Sequence, residues 1–215
     1  MSQYQKTLRI LLCISVCGFG ALPEPYEGVV PLPFDPQGYY NLENAEQIER
    51  LFAQNKIEIA IEVGCWLGTS TRHIASLLPS GGKLFAVDHW LGSSEHQPGG
   101  VEYQPAIHYL YHQFLSNVIH AGLTDKIIPV KMNSLDAKDL LSMVDPDFIY
   151  IDASHETEAV LDDLRAWYPL IQGDGIFCGD DWGHPPVATA VKIFAEERHL
   201  MIEAHDNFWR LIKPH

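Results

Sequence analysis

The spacing of apolar positions changes period repeatedly along this chain. In "LENAEQIERLFAQNK" (42–56) apolar residues recur at helical spacing, with Asn41 placed to cap the helix. "IEIAIEVG" (57–64) then alternates like a strand, and "TSTRHIASLLPSGG" (69–82) returns to helical spacing and stops at glycines. The same exchange recurs downstream. Strand patterns fall at "KLFAVDHW" (83–90), "KIIPVKMNS" (126–134), "DFIYIDAS" (147–154) and "GIFCGDDW" (175–182). Helical patterns fall at 105–122, 135–144, 156–172 and 187–199, and "MIEAHDNFWRLIK" (201–213) fits two short closing strands. Nearly continuous apolar strands alternating with amphipathic helices predict an α/β, doubly wound, mostly parallel sheet covered on both faces.

Two N-terminal segments fall outside this rhythm. Residues 1–21 carry Lys6 and Arg9, then an apolar run beginning at Ile10, then small residues, which is the layout of a secretory signal. The run is too short to predict a stable membrane span. The alternative is a hydrophobic N-terminal segment retained in the mature protein, and the compartment stays open between export and cytoplasm. Residues 22–42 hold five prolines and predict an extended arm that packs across a partner subunit, as in a homodimer, or over its own pocket.

The composition is that of a globular protein, and the net charge of −14 argues against nucleic acid as a partner, because phosphate binding needs a basic surface. Cys65 and Cys178 are the only cysteines outside the apolar segment. No zinc spacing surrounds them, so buried small residues are expected.

In a doubly wound sheet, ligands sit at the carboxyl ends of the strands. The residues at those ends are Glu62 and Gly64, Asp88, Asn133 and Ser134, Asp152, and Asp180 and Asp181. They predict one crevice lined with carboxylates. The first turn, "IEVGCWLGTST" (61–71), has GxxxG spacing rather than GxGxxG and carries no phosphate-binding lysine. Glu62 would repel phosphate but accept from an ammonium group, and the next helix N-terminus suits a carboxylate. A ligand bearing both groups, such as an amino acid, fits the turn. Asp88 ends the second strand, where a carboxylate can accept from both hydroxyls of a ribose.

These motifs resemble class I S-adenosylmethionine-dependent methyltransferases over roughly residues 45–213. The resemblance rests on "IEVGCWLGTST", "LFAVDHW", "DFIYIDASHETEAVLDDLRAW" and "GDGIFCGDDW". The last two are similar to the small-molecule subgroup of macrocin-type O-methyltransferases and cephalosporin-hydroxylase-like proteins. The resemblance implies a Rossmann-like, seven-stranded sheet with an antiparallel closing strand in a methyltransferase domain over 43–215. It implies that Gly64, Trp66, Gly68 and Thr69 line the methionine moiety with Glu62 nearby. Asp88 would hold the ribose, Asn133 and Ser134 would approach the adenine, and Asp152 would border the cofactor. The implied reaction is O-methylation of a small-molecule hydroxyl. Macrocin-type relatives also imply a divalent metal, Mg²⁺, on Asp152, Asp180 and Asp181, where it would lower a hydroxyl pKa.

One position departs from that subgroup. An acid that often serves as its base, two residues after the first metal aspartate, is replaced by Ser154. The adjacent His155 titrates near neutrality and is the candidate catalytic base. His108 and His112 have ligand-capable i,i+4 spacing but no matching third ligand, so a solvated or partly buried face is expected. The glycine-bearing loop 91–104 is a candidate lid. Competing with the enzyme is a repurposed cofactor-fold binding protein, which Ser154 and an export signal would favour. A nicotinamide oxidoreductase is disfavoured by the missing GxGxxG.

Overall fold

The computed structural model of the chain describes residues 22–38, 40–93, 96–100, 104 and 107–214. The expected signal segment, 1–21, and residues 94–95 and 101–103 of the expected lid lie outside the described residues. Seven strands form one sheet among them: β1 (Ile59–Val63), β2 (Lys83–Asp88), β3 (Ile127–Lys131), β4 (Phe148–Ile151), β5 (Ile176–Gly179), β6 (Met201–His205) and β7 (Phe208–Ile212). The order is β3-β2-β1-β4-β5-β7-β6. The first five strands are parallel, and β7 runs antiparallel between β5 and β6. The helices are α1 (Leu42–Gln54), α2 (Thr69–Leu77), α3 (Leu110–Ala121), α4 (Ser134–Leu140), α5 (Thr157–Trp167) and α6 (Pro185–Arg198).

Successive strand residues face opposite sides of the sheet, and this divides the core in two. Ala60, Leu84, Phe148 and Cys178 pack with α1, α2 and α3. Ile61, Phe85, Ile149 and Phe177 pack with α4, α5 and α6. Burial on both faces is why β4 and β5 are apolar without alternation. Pro129 has no N–H to donate, and it is tolerated because β3 is an edge strand. Cys65 and Cys178 are buried free thiols, as expected.

The arm packs over its own domain. Leu32 N–H donates to Ser116 Oγ at 2.9 Å, and Asp35 N–H donates to Asn117 Oδ1 at 3.0 Å. His112 and His120, two turns apart on α3, lie 2.8 Å from the carbonyl oxygens of Val30 and Leu32. His112 is partly buried, within the expectation of a solvated or partly buried face, and together with His120 it holds the arm. His108 belongs to a short 3₁₀ turn before α3. No described helix is long and apolar enough to cross a membrane.

Candidate active site

A cavity of about 830 Å³ opens at the carboxyl ends of the parallel strands. Gly64, Trp66, Thr69, Asp88, Asn133 and Ser134 line one part of it, and Asp152, His155, Asp180 and Asp181 line another. Glu62 and Gly68 are not in the lining. The sequence expectation of one crevice therefore corresponds to one cavity with two residues set behind its wall.

Backbone packing explains the first turn. Gly64 has φ +87°, and a Cβ there would lie 1.8 Å from the carbonyl oxygen of Asp152. Gly68 has φ +79°, and a Cβ there would lie 2.8 Å from the Phe114 ring. Both are required by contact with the protein itself, and Gly68 seats the start of α2 on α3. Trp66, between them, adopts a left-handed φ of 47°.

Asp88 anchors this turn. Its Oδ2 accepts from the backbone N–H of Cys65 at 2.9 Å and of Trp66 at 3.0 Å. Its Oδ1 accepts from Trp90 N–H at 2.6 Å, and Trp90 Nε1 donates to Trp66 O at 2.8 Å. A carboxylate has about four acceptor positions, so one remains for a ligand. Asp88 thus shapes the cradle, beyond any contact with a ribose.

Glu62 is fully buried, and neither carboxylate oxygen has a hydrogen-bond partner among the described residues. Burial pushes its carboxyl up to about 7, and the nearby Ser70 and Thr71 hydroxyls oppose the shift without reaching hydrogen-bond geometry. Such an orphaned acid is costly unless a donor completes it.

At the other end of the cradle, both expected adenine contacts are already engaged. Asn133 caps α4, its Oδ1 accepting from Asp136 N–H at 2.9 Å. The Ser134 hydroxyl donates to Asp163 Oδ1 and accepts from Trp167 Nε1 at 2.7 Å. Asp163, on α5, lines the cavity, and burial pushes its carboxyl up to about 6. Asp163 sits mid-helix rather than at a strand end, so no strand-end pattern in the sequence marks it.

On the far wall, His155 Nε2 lies 2.8 Å from Asp181 Oδ2, and the His155 and His184 rings stand 4.8 Å apart. Asp181 has a left-handed φ of 64°. Its predecessor Asp180 accepts the Asp181 N–H on Oδ1 at 2.6 Å, and Trp209 Nε1 donates to Asp180 O at 2.6 Å. Ser154 is a turn residue whose hydroxyl oxygen accepts from Glu156 N–H at 3.3 Å. Enclosure, then the charges of Asp180 and Asp181, hold the Asp152 carboxyl well above the aspartate range.

The expected Mg²⁺ triad of Asp152, Asp180 and Asp181 is not assembled. Among the described residues no group of three or more His, Cys, Asp or Glu side chains is arranged to hold a metal ion. Asp181 is turned to His155 and Asp180 to the Asp181 backbone, so the acids do not converge as ligands.

The sheet order with its inserted antiparallel strand, and a glycine-bearing first turn at the cavity, define a class I methyltransferase fold. The profile of the methyltransferase-domain family matches residues 61–182, more than half of the chain, and the chain belongs to that family. It is an S-adenosylmethionine-dependent methyltransferase. Solved structures with this fold include an O-methyltransferase from Bacillus cereus in complex with SAH, with 17% identity, a TM-score of 0.60, and coverage of 99% of this chain and 91% of that chain. Another is the O-methyltransferase TomG from Streptomyces achromogenes, involved in tomaymycin synthesis, in complex with SAM, with 15% identity, a TM-score of 0.57, and 82% of each chain covered. Cofactor-bound Rv0187 from MTB shares 15% identity at a TM-score of 0.62 over 98% of this chain and 88% of that chain.

Proposed function

We propose that the protein transfers the methyl group of S-adenosylmethionine to a hydroxyl of a small-molecule acceptor, with His155 as the base and Asp181 as the residue that orients it. The observation that carries this reading is the 2.8 Å contact between His155 Nε2 and Asp181 Oδ2 on the cavity wall. A carboxylate only accepts, so Nε2 carries the hydrogen and Nδ1 carries the lone pair. The adjacent carboxylate stabilises the imidazolium that proton uptake creates. The acceptor oxygen attacks the methyl carbon in line with sulfur. The carbon–sulfur bond breaks with its electrons moving to sulfur, and the hydroxyl proton passes to His155.

Two buried acids, Glu62 and Asp163, support this choice of cofactor. Its ammonium group would complete the orphaned Glu62, and its adenine amino group would find Asp163. The O-methyltransferase and bound-cofactor descriptions of the similar structures support the same reading. The acids as arranged do not fit a divalent metal, so no step is routed through one.

The test pairs binding with turnover. Calorimetry should show binding of S-adenosylmethionine and S-adenosylhomocysteine, and radiolabelled methyl should transfer to members of a panel of phenols and sugars. His155→Gln should lower that transfer by about 10²- to 10⁴-fold with cofactor affinity unchanged. Transfer at the wild-type rate would remove His155 from the base role. Excess EDTA should leave the rate unchanged; a loss restored by Mg²⁺ would return a metal to the site.

A further inference from the structure

The two edges of the sheet are built differently. β3 carries Pro129 and Lys131, and both residue types keep an edge strand from pairing with another chain. β6 carries neither. Among the described residues nothing pairs with its outer side.

The hairpin decides which groups this edge offers. His205 faces Phe208 across the two-residue turn of Asp206 and Asn207. The pair that closes such a turn exchanges both of its hydrogen bonds, and bonding then alternates along the strand. Met201, Glu203 and His205 therefore bond to β7, while the N–H and C=O groups of Ile202 and Ala204 point outward. A groove of about 490 Å³ runs beside this edge, lined by Lys192, Ala195, Glu196, His199, Leu200 and Ile202. Ile193 and Met201, each next in sequence to a lining residue, are 37% and 50% exposed.

Charge narrows the choice of partner. A net charge of −14 repels a second copy of the chain over most of its surface. Residues 192–213 hold four basic and four acidic side chains, so this face is balanced and does not repel. Glu203, the carboxylate on β6, is held by Arg210 at 2.7 Å. We propose that β6 pairs antiparallel with β6 of a second copy about a two-fold axis, joining the two sheets into one. The outward groups of Ile202 and Ala204 then satisfy those of the other copy. The same axis sets the two α6 helices antiparallel beside the grooves, with Lys192 facing the partner's Glu196. The pairing also reaches the cavity. Asn207, in the hairpin turn, lines it, and Trp209 of β7 donates to Asp180 O in its wall.

Sedimentation velocity on the full chain over a range of concentrations should show a reversible dimer. Ala204→Pro removes an outward N–H and none of the bonds to β7. It should raise the dimer dissociation constant by about 100-fold, the loss of one bond at each copy. Lys192→Glu sets like charges face to face and should weaken the dimer by about 10-fold. Adding Glu196→Lys to it should restore the wild-type constant, which a proline that merely disturbs the hairpin cannot mimic. An unchanged far-UV spectrum shows that the variants are folded. A wild type that stays monomeric at every concentration would overturn the proposal, as would a dimer that neither variant weakens. A monomer whose Ile202 and Ala204 amides resist hydrogen exchange would assign the edge to another segment of the same chain and overturn it too.

Discussion

Gly64 and Glu62 are two residues apart, and they mark opposite demands on the first turn. At Gly64 the backbone conformation and the 1.8 Å encounter with Asp152 O leave no room for a side chain. Gly64→Ala is expected to cost about 4 kcal/mol or more, as strain plus overlap at a packed site does, and a denaturant melt would measure it. At Glu62 the demand is functional. Its carboxyl is raised from 4.5 to about 7 by burial, so it is a destabilising acid in the unliganded protein. Glu62→Gln should stabilise that protein above pH 7 by on the order of 3 kcal/mol, while weakening S-adenosylhomocysteine. Both effects together identify a residue kept for binding at a cost in stability; a loss of both would make Glu62 a structural acid. The strand-end acids were legible in sequence because a buried strand ending in a charge marks the rim of a sheet. Asp163 was not legible. Its role comes from a hydrogen bond between residues far apart in the chain, and no local period records that.

Among the elements, α3 joins the arm to the first turn through one amide. Asn117 is fully buried and makes four bonds. It pairs with both backbone groups of Asp35, accepts from Gln113, and donates to Leu67 O at 2.9 Å. Asn117→Ala leaves these buried partners unsatisfied and is expected to cost about 1–3 kcal/mol, read as a lowered midpoint in urea. It should also weaken cofactor binding, because Leu67 belongs to the cradle. A lowered midpoint with unchanged affinity would separate the arm from the site. The alternation of strand and helix was readable from the change of period. The docking of the arm was not, since a proline-rich stretch shows only that it is extended and leaves its partner unspecified. For the same reason no local pattern shows that His112 and His120 meet the arm.

At the scale of the molecule, the C-terminal hairpin closes the sheet and braces the cavity wall that carries Asp180 and Asp181. Trp209 packs where a Cβ on Gly179 would lie 2.3 Å from its ring, and it donates to Asp180 O. Asn207 O accepts from Trp182 N–H at 2.8 Å, and Asn207 Oδ1 accepts from Gly183 N–H at 3.2 Å. The last strands thus hold the segment bearing Asp180 and Asp181 from outside it. The clustered acids also give the whole fold a pH dependence. Glu62 and Asp163, raised to about 7 and about 6, bind protons more tightly when folded than when unfolded. Their stabilising protonated forms are retained below the unfolded values and lost as pH rises through the folded ones. The unliganded protein should therefore melt higher at pH 5.5 than at pH 8, and Glu62→Gln with Asp163→Asn should flatten that difference. A melting temperature that rises with pH over this range would contradict the burial assigned to these acids.

The most direct test of the central claim is a crystal structure of the full chain with S-adenosylhomocysteine. The account predicts the adenine against Asp163, the amino-acid end toward Glu62, and the sulfur facing the His155–Asp181 pair across the space for an acceptor. A ligand bound elsewhere, or one whose sulfur faces away from His155, would contradict it.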